Sequence, residues 1–150
     1  MQATTAGPQT PFYLIDRARL AANMEKMVRL RERSGAKTLL ALKCFATWSV
    51  FDLMQQYMDG TTSSSLYELK LGRQKFAGET HAYSVAWADD EIEEMVANCD
   101  KIIFNSLGQL DRFADRAAGI ARIVLASGDR GDVVAEVARQ LELDAAQGEL

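Results

Sequence analysis

The sequence is poor in the residues that build metal sites and disulfides. Among 150 residues there are one histidine, His81, and two cysteines, Cys44 and Cys99, which lie far apart without a C-x-x-C pattern. A metal cluster built on several histidines is therefore excluded, and neither a zinc site nor a structural disulfide is expected. Such sparse cysteine usage is typical of a reducing compartment, so the sequence predicts a cytoplasmic protein without a metal.

Long apolar runs and an excess of basic charge are also lacking. No apolar run approaches the about 18 residues that a membrane span requires. Lysine and arginine number 17 against 21 acidic residues, which gives a net charge of −4, and the basic residues are scattered. Neither nucleic acid nor a membrane is therefore an expected partner. The polar start "MQATTAGPQT" lacks the features of a signal peptide, and residues 1–10 are expected to be a flexible lead-in.

Short apolar runs alternate along the chain with amphipathic stretches. The pattern predicts strands at residues 12–16, 38–43, 61–65, 81–86, 101–105 and 122–126. It predicts helices at residues 17–34, 48–58, 67–76, 89–97, 107–117 and 133–141. After the first unit the strands recur about every 21 residues, which indicates an α/β fold with a parallel sheet and right-handed crossovers.

Two α/β architectures fit this alternation. A doubly wound sheet can close within 150 residues, whereas a TIM-type (β/α) barrel needs eight units and about 250 residues. A dinucleotide-binding sheet would carry G-x-G-x-x-G at its first strand–helix turn, but the turns "DRARL" and "KCFATW" contain no glycine. This favours a partial barrel of about five strand–helix units, so the chain would be incomplete.

Lys43 is the most informative single residue, because it ends the apolar run "LLALK". Active sites of parallel α/β folds gather at the carboxyl ends of the strands, where a lysine amine can form a Schiff base. A lysine at that position more often simply extends its ammonium group to water. Cys44 beside it is expected to be a buried small side chain. Trp48 and Phe51 are expected to pack the next helix onto the sheet.

Polar residues follow two further strands. The segment "GTTSSSLYE" offers Thr62, Ser65 and Glu68 as groups that could contact a carboxylate or a phosphate. Ser65 and Glu68 are also spaced as a capping box, a role that can coexist with binding. Asn105 follows the fifth predicted strand and could either bind a polar ligand or satisfy the backbone of its turn.

Further local signals mark helix starts. Ser106 is predicted to cap the helix at residues 107–117. Asp89 and Asp90 are predicted to begin the helix at residues 89–97, where negative charge favours the helix dipole.

Several blocks of the chain resemble one enzyme family. "TPFYLIDRARLAANM" resembles the opening of fold-type III pyridoxal phosphate (PLP) enzymes, the alanine racemase and ornithine decarboxylase superfamily. More narrowly, "LLALKCFATWSVFDLMQQYMDGTTSSSLYELKLGR", "HAYSVAW" and "IIFNSLGQLDRF" closely resemble the carboxynorspermidine (carboxyspermidine) decarboxylase family. The resemblance runs over about residues 10–120.

The resemblance implies a fold, a cofactor and a reaction. The fold would be a PLP-binding barrel followed by a β-rich domain, with active sites at a homodimer interface. Lys43 would hold PLP as a Schiff base, and the enzyme would decarboxylate carboxynorspermidine or carboxyspermidine to norspermidine or spermidine. Thr62, Ser65, Glu68 and Asn105 would lie around the mouth of the pocket.

The sequence departs from the family after about Ile120. The family continues there into a barrel strand with an arginine and an Asn-Pro pair, whereas this chain reads "ARIVLASGDRGDVVAEVARQLELDAAQGEL". Residues 11–120 would thus be the N-terminal part of the barrel, and residues 121–150 a divergent strand–helix tail. The later barrel units and the β domain would be lacking, through truncation or a frameshift.

Three interpretations remain open at this point. The chain could be the N-terminal part of that decarboxylase, inactive by itself. It could instead be a non-catalytic α/β half-barrel used for binding or association. Finally, it could belong to a related PLP-dependent amino-acid decarboxylase with another substrate preference.

Overall fold

Five short parallel strands form one sheet in a computed structural model, which describes residues 7, 9–118 and 122–125 of the chain. The strands are β1 (Leu39–Ala41), β2 (Gly60–Ser63), β3 (Glu79–Tyr83), β4 (Lys101–Phe104) and β5 (Arg122–Leu125). The helices are α1 (Arg17–Ser34), α2 (Phe51–Met54, preceded by a 3₁₀ turn at Trp48–Val50), α3 (Leu66–Lys75), α4 (Ile92–Asn98) and α5 (Leu107–Ala117).

The order of the strands decides between the two predicted architectures. Each strand pairs with its neighbour in sequence, so the order is β1-β2-β3-β4-β5. A doubly wound sheet reverses its strand order at a switch point, whereas a barrel adds each strand to the same side. Right-handed crossovers in one unbroken direction put all the helices on one face of the sheet. The sheet is therefore an arc of a (β/α) barrel, and the prediction of a partial barrel is confirmed.

The first predicted strand, at residues 12–16, is wrong. These residues form no strand, and Tyr13 is fully exposed. Asp16 instead caps α1, its carboxylate accepting hydrogen bonds from the backbone N–H groups of Ala18 and Arg19. The short apolar run at residues 12–15 has no neighbouring strand to pair with among the described residues, and it leads directly into the capping residue of α1.

Other boundaries moved by a few residues. The third sheet strand begins at Glu79 rather than His81 and ends at Tyr83 rather than Ala86, while α4 begins at Ile92 rather than Asp89. Ser65 and Ser106 cap α3 and α5 as predicted, each hydroxyl accepting a backbone N–H bond. The predicted helix at residues 133–141 lies outside the described residues.

The face of the sheet toward the helices carries the core. One cluster packs α3, α4 and α5 against β3 and β4 around Ile102, Phe104 and Phe113, all fully buried. A second cluster packs Phe51, Met54 and other residues against β1. Strand residues that point the other way are only half-buried, among them Leu39, Ala41, Thr62, Glu79, His81, Tyr83, Lys101 and Ile103. We call this second surface the open face.

An aspartate joins the starts of β1 and β2. The Asp59 carboxylate accepts hydrogen bonds from the Thr38 N–H (2.7 Å) and the Thr38 hydroxyl (3.3 Å) and pairs with Arg31 of α1 (3.1 Å). The Asp59 N–H in turn donates to the Thr38 carbonyl (2.8 Å). We call this arrangement the Asp59 clip.

The same arrangement recurs between β3 and β4. The Asp100 carboxylate accepts from the Thr80 N–H (2.8 Å) and hydroxyl (3.0 Å), pairs with Arg73 of α3 (3.4 Å), and the Asp100 N–H donates to the Thr80 carbonyl. We call it the Asp100 clip. The arginines, threonines and aspartates of the two clips lie 42, 42 and 41 residues apart. The described part of the barrel therefore repeats every two strand–helix units, at the amino ends of its strands.

None of the described helices combines the length and the apolar character needed to cross a membrane.

Candidate functional site

Lys43 lies at the carboxyl end of β1, two residues beyond the last strand residue, Ala41. The Leu42 N–H still donates to the Thr62 carbonyl of β2 (3.0 Å), and the Leu42 side chain is buried. The N–H groups of Cys44 and Phe45 then both donate to the Ala41 carbonyl, at 3.0 and 3.1 Å. The backbone of Lys43 is thus fixed by a tight turn that is anchored on both sides.

The Lys43 side chain is exposed, and it forms no hydrogen bond or ion pair with the part of the chain that the structure describes. Cys44 beside it is also exposed, so its predicted burial is wrong. Trp48 is 64% exposed and does not pack on the sheet, whereas Phe51 is fully buried as expected. The turn faces outward because Leu42 and Phe51 take the core positions on either side of it.

Thr62, Ser65 and Glu68 lie on and after β2, the strand next to β1. Thr62 is half-buried on the open face, in register with Ala41. Ser65 accepts the Glu68 N–H (3.3 Å), while the Glu68 carboxylate accepts the Ser64 N–H (2.6 Å). Ser65 and Glu68 therefore stiffen the loop between β2 and α3, which follows a strand adjacent to Lys43.

Asn105 directly follows β4, half-buried, and precedes the capping residue Ser106. Because carboxyl ends of parallel strands share one edge of a sheet, Asn105 lies on the same edge as Lys43 but three strands away. The structure thus brings the predicted residues to one edge, with Thr62 nearest to the lysine strand and Asn105 farthest from it.

A charged network on the open face escaped the sequence analysis. The Glu79 carboxylate binds Lys101 Nζ (2.8 Å), His81 Nε2 (2.9 Å) and the ammonium group of Lys37. Hydrogen bonds from Lys101, then from Lys37 and His81, hold the pKa of the Glu79 carboxyl far below its usual range, against the opposing effect of burial. We call these four residues the Glu79 network.

A signal for this network was present in the sequence. Glu79, His81 and Tyr83 alternate along one strand, and Lys101 begins the next, so polar side chains recur with the period of a strand. The displaced boundary of the predicted strand, which began at His81, concealed Glu79. Within the described residues, no group of three or more His, Cys, Asp or Glu side chains is placed to hold a metal ion.

Comparison with known proteins tests the family resemblance seen in the sequence. No family model matches the chain. Over 108 residues it is 73% identical to carboxynorspermidine/carboxyspermidine decarboxylase of Herminiimonas arsenicoxydans and 39% identical to the corresponding protein of Campylobacter jejuni. The chain is similar to the N-terminal part of carboxynorspermidine/carboxyspermidine decarboxylases. The resemblance seen in the sequence is thereby confirmed.

These decarboxylases are much longer than the chain. The match covers 72% of the chain but only 30% and 28% of the two relatives. A carboxyaminopropylagmatine decarboxylase of Synechocystis is 29% identical over 106 residues, which is 27% of its length. The crystal structure of the Campylobacter jejuni carboxynorspermidine decarboxylase, complexed with norspermidine, matches with a TM-score of 0.73 and 36% identity. That match covers 79% of this chain and 31% of the solved one, so the barrel arc itself is shared.

Proposed function

We propose that this chain is the N-terminal segment of a PLP-dependent decarboxylase that acts on carboxynorspermidine or carboxyspermidine and forms norspermidine or spermidine. The observation that carries the proposal is the 73% identity to such a decarboxylase together with a fixed, exposed lysine at the carboxyl edge of a barrel arc. The complete enzyme would be a cytoplasmic homodimer, as the family resemblance implies.

The residues present fit one functional group of PLP, its aldehyde. An aldehyde cofactor requires a primary amine, and the unpaired Lys43 amine supplies it on a backbone held by hydrogen bonds. When bound, PLP supplies an electron sink for the negative charge that remains on carbon after CO₂ leaves. The groups that hold its phosphate and ring would lie in the later barrel units of the complete enzyme.

The chain's own residues would bind the cofactor and orient the bound molecule. Lys43 would hold the cofactor covalently, and the anchored turn would keep that amine at the carboxyl edge. The Thr62 hydroxyl would donate or accept a hydrogen bond beside it. Ser65 and Glu68 would act through the rigid β2–α3 loop that they cap, and the Asn105 amide would contact a polar ligand group at the far side of the edge.

The isolated 150 residues are expected to bind PLP poorly and not to decarboxylate. Lys43 is the one cofactor anchor that the resemblance places in the chain, and a Schiff base without phosphate and ring contacts is exposed to hydrolysis by water. PLP absorbance near one equivalent per chain, lost in Lys43→Ala, would contradict this expectation.

The test of the function is a chimera. Residues 1–118 of this chain would replace the matched N-terminal segment of the Herminiimonas arsenicoxydans relative, whose remaining sequence supplies the rest of the enzyme. The chimera is expected to release CO₂ and norspermidine from carboxynorspermidine. Lys43→Ala should lower kcat by about 10³-fold or more, because it removes the covalent anchor. The control Lys75→Ala, at an exposed lysine of α3, should leave kcat unchanged. A chimera that folds as the relative does and shows no turnover would refute the proposal.

An association module is the second candidate. β1 lies at the edge of the described sheet, so one side of its backbone has no strand partner among the described residues. Open edges pair readily with other chains. This alternative predicts oligomers of the 150-residue chain in sedimentation experiments, and a folded monomer would count against it.

A further inference from the structure

Glu79 and Lys101 begin β3 and β4, at the amino ends of the strands, and His81 stands on the open face between Glu79 and the carboxyl end of β3. Ala41, Thr62, His81 and Lys101 pair in register across four strands and form one row of the open face. Lys43 follows Ala41 by two residues, in the turn at the carboxyl end of β1. Strand spacing puts the backbones of Ala41 and His81, which are two strands apart in one row, about 10 Å apart. A small molecule attached to a lysine side chain can span the gap that remains between the two side chains.

This row has an unusual composition for a barrel interior. The layers inside a (β/α) barrel are dominated by bulky branched apolar residues. Here a histidine and a lysine stand in the row, with a carboxylate one row below, and their side chains are only 14%, 22% and 29% exposed. Partly buried charged groups cost stability unless they are paired, and here the Glu79 carboxylate pairs with both His81 and Lys101.

The contacts of His81 define which of its ring atoms is available. The Glu79 carboxylate is ionised and can only accept hydrogen bonds, so His81 Nε2 must carry the proton that joins them. In the neutral ring Nδ1 then has a free lone pair, and Nδ1 forms no hydrogen bond within the described residues. A carboxylate that fixes the tautomer and orientation of an imidazole is a recurrent device for presenting the second nitrogen to a ligand.

We propose that His81 is a further ligand-contacting residue of the site and that Glu79 is the residue that positions it. Nδ1 accepts a hydrogen bond from a hydroxyl or N–H group of the small molecule held at Lys43. Lys101 and Lys37 neutralise Glu79, so that the carboxylate orients the ring while its charge is balanced within the network. This inference rests on the proposed function, because it places a ligand on Lys43.

The single histidine makes the positioning directly measurable. In the 150-residue chain without a histidine tag, the ¹⁵N resonances of the imidazole belong to His81 alone. In the neutral ring, the expected tautomer carries its proton on Nε2 and none on Nδ1. Glu79→Leu should convert it to a mixture of tautomers, whereas the control Glu94→Gln, at a surface acid paired with Lys70, should not. An unchanged tautomer in a folded Glu79→Leu chain would overturn the positioning role.

Ligand contact is tested by trapping. The same chain is treated with pyridoxal phosphate and reduced with borohydride, and the label is mapped by mass spectrometry at Lys43 and at the exposed Lys75. Labelled wild type should show a shifted Nδ1 resonance, and Lys43→Ala treated in the same way should not. An Nδ1 resonance that does not move when Lys43 carries the label would overturn the contact.

Two substitutions separate ligand contact from a purely structural role. His81→Gln keeps a donor near the Nε2 position but lacks an acceptor at the Nδ1 position. It should therefore lower the ratio of labelling at Lys43 to labelling at Lys75 about fivefold, which corresponds to the loss of one hydrogen bond. His81→Asn places an acceptor at Nδ1 and should restore most of the ratio. A ratio unchanged in His81→Gln, or a wild-type ratio no higher than one, refutes the inference. If either refuting result is obtained with a chimera that is active, the role of His81 is wrong and the proposed function still stands. If the chimera is inactive, the proposed function is refuted.

Discussion

The two ends of the sheet are built in contrasting ways. At the amino ends of the strands, each of two clips binds an aspartate to a threonine and an arginine, and the Glu79 carboxylate collects three further side chains. At the carboxyl ends, the Lys43 side chain is exposed and is fixed through its backbone alone. The carboxylates of the clips and of Glu79 are therefore paired, whereas the Lys43 amine has no partner among the described residues.

In the proposed enzyme this contrast would separate stability from chemistry. Paired carboxylates join the strand starts, and the Lys43 amine at the other end is left without a protein partner among the described residues. An amine that was tied to a carboxylate would not be available to a ligand. Substitutions at the two ends should accordingly affect different measurements, and four experiments test this, from the largest expected change to the smallest.

Asp100→Ala should destabilise the chain by about 2 kcal/mol, because it leaves the buried Thr80 N–H without its acceptor, while the Thr80 hydroxyl keeps its bond to the Asn98 carbonyl. The measurement is urea unfolding followed by circular dichroism. Asp115→Ala, at an exposed aspartate of α5, is the matched control and should change the free energy of unfolding by less than about 0.5 kcal/mol. Equal effects of the two substitutions would mean that the Asp100 clip does not stabilise the sheet.

Asp59→Ala should cost a similar free energy of unfolding, about 2 kcal/mol, because the Thr38 N–H and hydroxyl both lose their acceptor. The two clips join different strand pairs, so the double substitution should be additive within about 0.5 kcal/mol. The coupling energy between the two clips is obtained from the free energies of unfolding of both single variants and the double variant. A coupling energy well above about 0.5 kcal/mol would show that the two clips act as one unit.

Glu79→Gln should cost about 1.5 kcal/mol at pH 7, the value of hydrogen bonds to a charged group. The folded-state pKa of Glu79 lies below the unfolded value, so its stabilisation is complete above about pH 5 and is lost as the pH falls toward the folded pKa. The difference between wild type and Glu79→Gln should therefore shrink steadily below about pH 4. A difference that stays constant down to pH 2.5 would contradict the assignment of the charge.

Lys43→Ala should change the free energy of unfolding by less than about 0.5 kcal/mol, because its exposed side chain has no partner in the described residues. The same substitution is expected to abolish turnover in the chimera. A large loss of stability in Lys43→Ala would show that the carboxyl end also contributes to stability, contrary to the proposed difference between the two ends. Thermal unfolding of the variant beside Lys75→Ala measures it.

Much of the fold was predictable from local patterns. The apolar stripe of α1 and the caps at Ser65 and Ser106 gave correct helix positions, because caps and periodicity act within a few residues. The strand at residues 12–16 was predicted wrongly, because a suitable pattern forms a strand only when a neighbouring strand is present to pair with it. Trp48 and Cys44 were assigned to the core for their side-chain type, but the turn after β1 faces outward.

The candidate site was predictable in part. The blocks around Lys43 indicated a resemblance to the decarboxylase family, and a relative of that name is 73% identical over 108 residues. The roles of Thr62, Ser65, Glu68 and Asn105 stay predictions. Glu79 was not predicted, because its partners Lys37 and Lys101 are 42 and 22 residues away in sequence and meet it only through the strand pairing.

The sequence by itself determined the alternation of strands and helices, the family resemblance and the lysine at the end of β1. Each of these depends on short-range order along the chain, which a single sequence displays directly. The tertiary structure alone decided the unbroken strand order, the two clips and the row that joins Thr62, His81 and Lys101. These features arise when parallel strands pair in one register, which brings together side chains about 20 or 40 residues apart in sequence.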